Sequence, residues 1–180
     1  IGASLKSLGY SLNSEDPEQL AAALTQLETL RPSIHFVEVD TDEAIQPLLN
    51  GDATIMLGWN GDALIAHEQN PNIEYVLPVE GAFAWVDNFV VSAKSQSPYT
   101  AETFINFMLR PEISAQVVEA YYYPSPNEAA AEYVDEELRT NSLVFPSSED
   151  IARAEFFLPH TPAGQALTSR LWQQFLQADQ

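Results

Sequence analysis

The chain contains no cysteine, which excludes disulfides, thiolate metal sites and cysteine nucleophiles. It has only seven Lys and Arg residues against 26 Asp and Glu, for a formal net charge of −19. Binding to the phosphate backbone of nucleic acid needs a basic face, and seven scattered cations cannot build one. The composition therefore argues against a nucleic-acid partner, and it fits either a solubilising surface or attraction of cationic ligands.

Long apolar runs are also missing, since no stretch approaches the ~20 consecutive apolar residues that a membrane-spanning helix requires. The sequence does not start with Met and shows no basic segment followed by an apolar run, as a signal peptide would. We therefore expect the chain to be processed or cut from a longer protein. With 180 residues, 46% of them hydrophobic, it is long enough to bury a core.

Patterns typical of catalytic and metal sites are absent as well. The three histidines, His35, His67 and His160, lack the close spacing of metal-binding pairs. No G-x-S-x-G, G-x-G-x-x-G or Walker motif occurs. The sequence therefore predicts no enzyme, no bound metal and no cofactor.

What is present is an alternation of short apolar segments with helical patterns. Asp16 followed by Pro17 marks a helix start, because Asp is a preferred N-cap and Pro fits the first turn. Residues 53–59 form an uncharged apolar run typical of a buried parallel strand. Further strands are predicted over residues 34–39, 73–77 and 82–93, and further helices over 42–49, 63–68, 101–109, 112–121, 127–133 and 162–176. This alternation favours an α/β fold.

The pattern of the sequence changes near residues 78–81, which suggests a boundary between two lobes. We expect residues 1–79 to form part of one lobe. Residues 80–180 would then supply a hinge strand, part of the other lobe and the C-terminal helices.

Aromatic residues stand beside acids at the predicted strand ends. Trp59 ends the strand predicted over residues 53–59, and ligands of open α/β sheets bind beyond such carboxyl ends. Trp85 and Asp87 are two residues apart, so a strand would direct both to one face, ~6–7 Å apart. An indole face with a carboxylate at that distance can hold an alkylammonium by cation–π attraction and a charge-assisted hydrogen bond. Tyr123 ends a run of three tyrosines before a rigid proline turn.

The same residues also fit purely structural roles. A Trp at the end of a buried strand often packs in the core, an Asp near a Trp often serves a turn, and tyrosines at a helix end often only pack. The residue pattern by itself leaves both interpretations open.

Several motifs together resemble one family, the extracytoplasmic spermidine/putrescine-binding proteins of ABC importers. The motifs occur in order and at the family's spacing: residues 8–13 (LGYSLN), 59–63 (WNGDA), 75–81 (YVLPVEG), 83–87 (FAWVD), 104–112 (FINFMLRPE) and 123–127 (YPSPN). The resemblance implies an α/β fold of the type II periplasmic-binding-protein class, two-lobed and hinge-connected, of which this chain is the C-terminal portion. It also implies a periplasmic location, a polyamine ligand and a membrane permease as partner.

The resemblance carries ligand-binding roles to four residues: Trp59, Trp85, Asp87 and Tyr123. The aromatic rings would sandwich the methylene chain, and Asp87 would fix one ammonium group. A family position that is often Gln falls at Phe157, a departure that bears on the choice between putrescine and spermidine. Asp62 stands where relatives often have a small residue, so it either adds negative potential or caps the following helix.

Family members are roughly twice this length, and the half that is missing here carries further aromatic walls and an acidic pair. We therefore expect weak or absent polyamine binding by this chain alone, and self-association through uncovered apolar faces. Two other interpretations stay open at this point: a binding protein for a different small organic solute, or an interaction module that binds no small ligand.

Overall fold

The computed structural model describes residues 1–35 and 44–177. The chain is mostly helical. The helices are α1 (Gly2–Ser7), α2 (Pro17–Leu30), α3 (Gln46–Asn50), α4 (Asn60–Gln69), α5 (Pro98–Met108), α6 (Pro111–Tyr121), α7 (Glu136–Thr140), α8 (Ser148–Arg153) and α9 (Pro162–Gln177). Single 3-10 turns cover Arg31–Ser33 and Glu128–Glu132. Among the described residues, two short strands, β1 (Phe83–Ala84) and β2 (Glu155–Phe156), pair in parallel.

The chain divides into two compact units. Unit 1 comprises Ile1–Val37, Leu77–Trp85 and Ser148–Gln180, and unit 2 comprises Glu38–Val76 and Val86–Ser147. Each unit is thus assembled from segments distant in sequence. The expected lobe boundary near residue 79 stays a prediction.

Unit 1 is built around the packing of α1 and α9 against α2. The first turn of α2 is fixed by Asp16, whose carboxylate accepts hydrogen bonds from the backbone N–H groups of Glu18 and Gln19 at 2.8 and 3.2 Å, so the predicted N-cap is confirmed. The core contains apolar side chains from all three helices: Leu5, Leu20, Ala23, Leu24, Leu171 and Phe175.

A single carboxylate ties the N-terminal segment of unit 1 to β2. Glu155 accepts hydrogen bonds from Lys6 Nζ at 3.3 Å, from the Leu12 N–H at 3.1 Å and from the Ser11 hydroxyl. Burial by itself would raise the pKa of Glu155, but these donors outweigh burial and lower that pKa.

Unit 2 packs α6 against the 3-10 turn that follows it. The buried side chains are small or β-branched: Ala115, Val118, Ala130, Val134 and Val144. Leu64 of α4 packs on the same cluster, so the helix that follows Trp59 is anchored to the unit 2 core.

The predicted helices and strands had different outcomes. Helices over 112–121 and 162–176 are confirmed by α6 and α9, and the predicted helix over 101–109 starts three residues earlier, at Pro98. The helix predicted over 127–133 is a 3-10 turn, Glu128–Glu132. Most of the strand over 34–39 and the start of the helix over 42–49 lie outside the described residues.

The strands predicted over 53–59, 73–77 and 82–93 are wrong, apart from Phe83–Ala84. The segment expected to be buried is open to solvent instead, because Ile55 is 88% exposed and Leu57 is 74% exposed. A strand is held by hydrogen bonds to a neighbouring strand, and the part of the chain that the structure describes offers no such neighbour to these segments. The prediction that a strand holds Trp85 and Asp87 on one face therefore fails, since neither residue is in a strand.

Candidate functional site

The structure brings two of the four predicted site residues, Asp87 and Tyr123, into one electrostatic neighbourhood within unit 2. Asp87 raises the pKa of the Tyr123 phenol through its charge. Asp62 and Tyr75, which also lie in unit 2, have the same effect on this phenol. We call these four residues the acid–tyrosine cluster. Tyr123 lies at its centre, because the other three each act on the Tyr123 phenol.

The Tyr123 phenol is held neutral by its surroundings. Burial is the largest cause, and together with the charges of Asp62, Tyr75 and Asp87 it raises the pKa of Tyr123 to about 12. A hydrogen bond from the Asp62 backbone N–H opposes this rise in part. At physiological pH the phenol therefore offers a hydrogen-bonding hydroxyl group without adding negative charge.

Asp62 lies in the first turn of α4, three residues after Trp59. Trp59 occupies the N-cap position, so Asp62 is not the cap of α4. The other interpretation, that Asp62 adds negative potential to the site, stays a prediction. Burial raises the pKa of the Asp62 carboxyl, which marks it as a carboxylate with incomplete solvation. Such a group gains more from a bound cation than a fully hydrated carboxylate does.

The two tryptophans keep part of their rings open to solvent. Trp59 is 39% exposed at the start of α4 in unit 2. Trp85, the last residue of unit 1's middle segment, is also 39% exposed. Neither indole is a buried core residue, so the core interpretation of Trp59 does not hold. Phe157 of unit 1 packs against Phe83 with ring centroids 5.6 Å apart.

The chemistry of the cluster favours a cation. Within residues 1–35 and 44–177, neither Asp62 nor Asp87 forms an ion pair with a Lys, Arg or His side chain. No group of three or more metal-ligating side chains occurs in the same described ranges. An organic cation with methylene groups suits two carboxylates in the neighbourhood of phenol rings.

Sequence reasoning missed Tyr75 and left the role of Asp62 open. Burial raises the pKa of Tyr75, and its charge acts on Tyr123. Tyr75 opens the 75–81 motif, so the resemblance pointed to the segment without singling out this phenol. Only the folded arrangement shows that residues 62, 75 and 87 act on Tyr123.

The state of the Tyr123 phenol gives a direct test of the cluster. At pH about 11, an ordinary tyrosine with pKa near 10 is mostly ionised, whereas Tyr123 is expected to stay mostly neutral because its pKa is about 12. Replacing Asp62 by Asn removes one negative charge and is expected to increase the ionised fraction. Carbon-13 NMR of labelled tyrosines measures both, with Asp52→Asn, an exposed acid of the same unit, as the matched control. Equal ionisation of Tyr123 in the two variants would contradict the proximity of Asp62.

In the described residues, no helix has both the length and the apolar character needed to cross a bilayer.

Comparison with known proteins gives a family match over most of the chain. Residues 2–146 match the family model described as "Bacterial extracellular solute-binding protein". The chain is 33% identical over 152 residues to the spermidine/putrescine-binding periplasmic protein of Escherichia coli strain K12, covering 84% of this chain and 43% of that protein. It is 33% identical over 161 residues to the putrescine/agmatine-binding protein of Pseudomonas aeruginosa, covering 84% and 42%.

Solved structures agree with the sequence matches. A Listeria monocytogenes structure superposes with a TM-score of 0.87 at 31% identity, covering 98% of this chain and 54% of that one. The spermidine/putrescine ABC transporter substrate-binding protein of Streptococcus pneumoniae gives a TM-score of 0.81 at 34% identity, covering 97% and 54%. The chain thus spans about half the length of the relatives that it matches.

Proposed function

We propose, from the premise that the chain belongs to the family of bacterial extracellular solute-binding proteins, that it contributes to binding a polyamine, putrescine or spermidine. The bound polyamine would be delivered to the permease of an ABC importer, outside the cytoplasm. We propose a binding role and no catalytic one. Self-association of the chain stays a prediction and is not part of this proposal.

The observation that carries the proposal is the acid–tyrosine cluster. It combines two carboxylates without ion pairs with phenols whose pKa values are raised by burial. A polyamine presents ammonium groups separated by methylenes, which is the complementary pattern of charge and apolar surface. Relatives from E. coli and P. aeruginosa are named for binding spermidine, putrescine or agmatine, all of which carry cationic groups separated by methylenes.

Each predicted site residue has a separate task in this proposal. Asp87 accepts a charge-assisted hydrogen bond from one ammonium group, and Asp62 adds negative charge at the start of α4. Trp59 offers an indole face to the methylenes and to the cation, and the same role for Trp85 stays a prediction. Tyr123 contributes a neutral hydroxyl group in the neighbourhood of the two carboxylates.

The strength of these contacts sets the expected affinity. A hydrogen bond to a charged group contributes ~1.5–3 kcal/mol and a cation–π contact ~0.5–2 kcal/mol. Association costs at least ~4 kcal/mol, so three or four such contacts leave a dissociation constant of roughly 1 mM. The 180-residue chain is therefore expected to bind putrescine weakly.

Titration of putrescine into the labelled chain, followed by proton–nitrogen NMR, measures affinities in this range. The expected result is saturable shifts of the Trp59 indole and of the Asp62 and Asp87 amides. The control ligand is 1,4-butanediol, which keeps the methylenes and lacks the charges. The proposal fails if putrescine causes no saturable shift up to about 50 mM, or if butanediol shifts the same signals equally.

A further inference from the structure

We propose that Asn60 and Gly61 are positioning residues that hold Tyr123 in the acid–tyrosine cluster. Neither has been assigned a ligand contact above. The consequence for ligand affinity rests on the proposed function, but the positioning itself does not. Three contacts between α4 and the segment that follows α6 support the inference.

The first contact is made by the Asn60 side chain. Its amide nitrogen donates hydrogen bonds to the Tyr122 carbonyl oxygen at 3.1 Å and to the Leu143 carbonyl oxygen at 2.9 Å. The two N–H donors of that amide are therefore used within unit 2 and are not available to a ligand. One side chain thereby ties the first residue of α4 to the residue before Tyr123 and to a second loop.

The second contact depends on the missing side chain of Gly61. A Cβ atom at this position would lie 2.5 Å from the Tyr121 carbonyl oxygen and 2.8 Å from two ring atoms of Tyr123, Cε2 and Cζ. Real Cβ atoms essentially never come this close to another heavy atom, and the Tyr121 oxygen belongs to the backbone. Only glycine lets the Tyr123 ring lie directly on the first turn of α4.

The third contact is made by Tyr122, the residue at which α6 ends. Tyr122 has a φ of 58°, the left-handed conformation, which non-glycine residues adopt uncommonly. Its hydroxyl group donates a hydrogen bond to Glu68 Oε1 of α4 at 2.6 Å. Tyr122 thus ends α6 and faces α4, and the next residue, Tyr123, is turned toward Asp62.

These contacts make α4 a platform for the residue 121–123 segment. Asn60 holds the backbone, Gly61 provides the space, and Asp62 meets the phenol. The residues that follow Trp59 therefore act on the ligand through Tyr123, in addition to the charge of Asp62.

Two variants test the positioning in the 180-residue chain. Gly61→Ala is expected to displace the Tyr123 ring, so that at pH about 11 its phenol becomes mostly ionised like an ordinary tyrosine. Asn60→Leu keeps about the size of the side chain and adds no charge but loses the N–H donors, and it is expected to shift the same signal less strongly. Gly58→Ala is the matched control, because a Cβ there would meet only the flexible end of the Met56 side chain.

Putrescine titration of the same variants measures the effect on the ligand. Gly61→Ala is expected to weaken binding about tenfold, with Gly58→Ala unchanged. If Tyr123 stays neutral in both Gly61→Ala and Asn60→Leu, positioning is refuted whether or not putrescine binds. If Gly61→Ala does not fold, Asn60→Leu alone decides the question. If the phenol responds but the unmodified chain does not bind putrescine, positioning stands and the proposed function fails.

Discussion

Asp87→Asn is expected to weaken putrescine binding more than tenfold and to leave the fold intact. The substitution keeps the shape of the side chain but replaces a charge-assisted hydrogen bond, worth ~1.5–3 kcal/mol, with a neutral one. Asp87 forms no ion pair in the described residues, so its loss leaves no buried cation unpaired. NMR titration gives the affinity, and thermal unfolding checks the fold.

The general negative field of the chain must be separated from this local contact. Asp52→Asn removes the same charge from an exposed position in the same unit. It changes the net charge of −19 by the same amount and is expected to change the affinity little. A loss of affinity as large as that of Asp87→Asn would assign the effect to the overall field and remove Asp87 from the site.

Phe175→Ala is expected to cost about 3–5 kcal/mol of the free energy of unfolding. Phe175 is 1% exposed in the core of unit 1. Its ring stacks on Trp172 with centroids 5.4 Å apart, and the Arg31 guanidinium lies 4.1 Å from the ring centroid. Truncation opens a cavity and removes both contacts. A domain of this size has a total stability of about 5–15 kcal/mol, so the loss is severe.

Leu176→Ala is the matched control for this prediction. Leu176 is the next residue of α9 and is exposed, so its truncation opens no cavity. Denaturant unfolding is expected to show a loss of at most about 1 kcal/mol for this variant. Similar losses for the two variants would mean that Phe175 does not anchor α9 to the core.

The helices were the part of the fold that sequence patterns predicted best. Asp16 caps α2 by accepting hydrogen bonds from residues two and three positions later in the sequence. Helices α6 and α9 begin at Pro111 and Pro162. These signals are local, so they act wherever the segment is placed. The likeness to solved structures confirms the predicted fold class, that of periplasmic binding proteins.

Most of the predicted strands do not form, because strand formation depends on pairing with another segment and not on local signals. The apolar run over 53–59 has the composition of a buried strand, yet Ile55 and Leu57 are exposed. Composition describes the environment that a strand prefers, whereas a strand forms only where another strand pairs with it. Pairing within the described residues is limited to the ladder between residues 83–84 and 155–156.

The candidate site was predictable only in part. The resemblance pointed to Asp87 and Tyr123, which the structure brings into one cluster within unit 2. Tyr75 was missed because its burial and its effect on Tyr123 arise from tertiary packing. The roles inferred for Asn60 and Gly61 rest on distances to residues 121–123, more than 55 positions away in sequence, and no local motif reports such distances.

The most direct test of the central claim is where putrescine lies when it is bound. Isotope-filtered nuclear Overhauser measurements on the labelled chain with unlabelled putrescine detect ligand protons within ~5 Å of protein protons. We predict contacts from the putrescine methylenes to the rings of Trp59 and Tyr123. Saturable binding with contacts confined to another surface, such as the open apolar face of α5 around Tyr99, Phe104 and Phe107, would contradict the account.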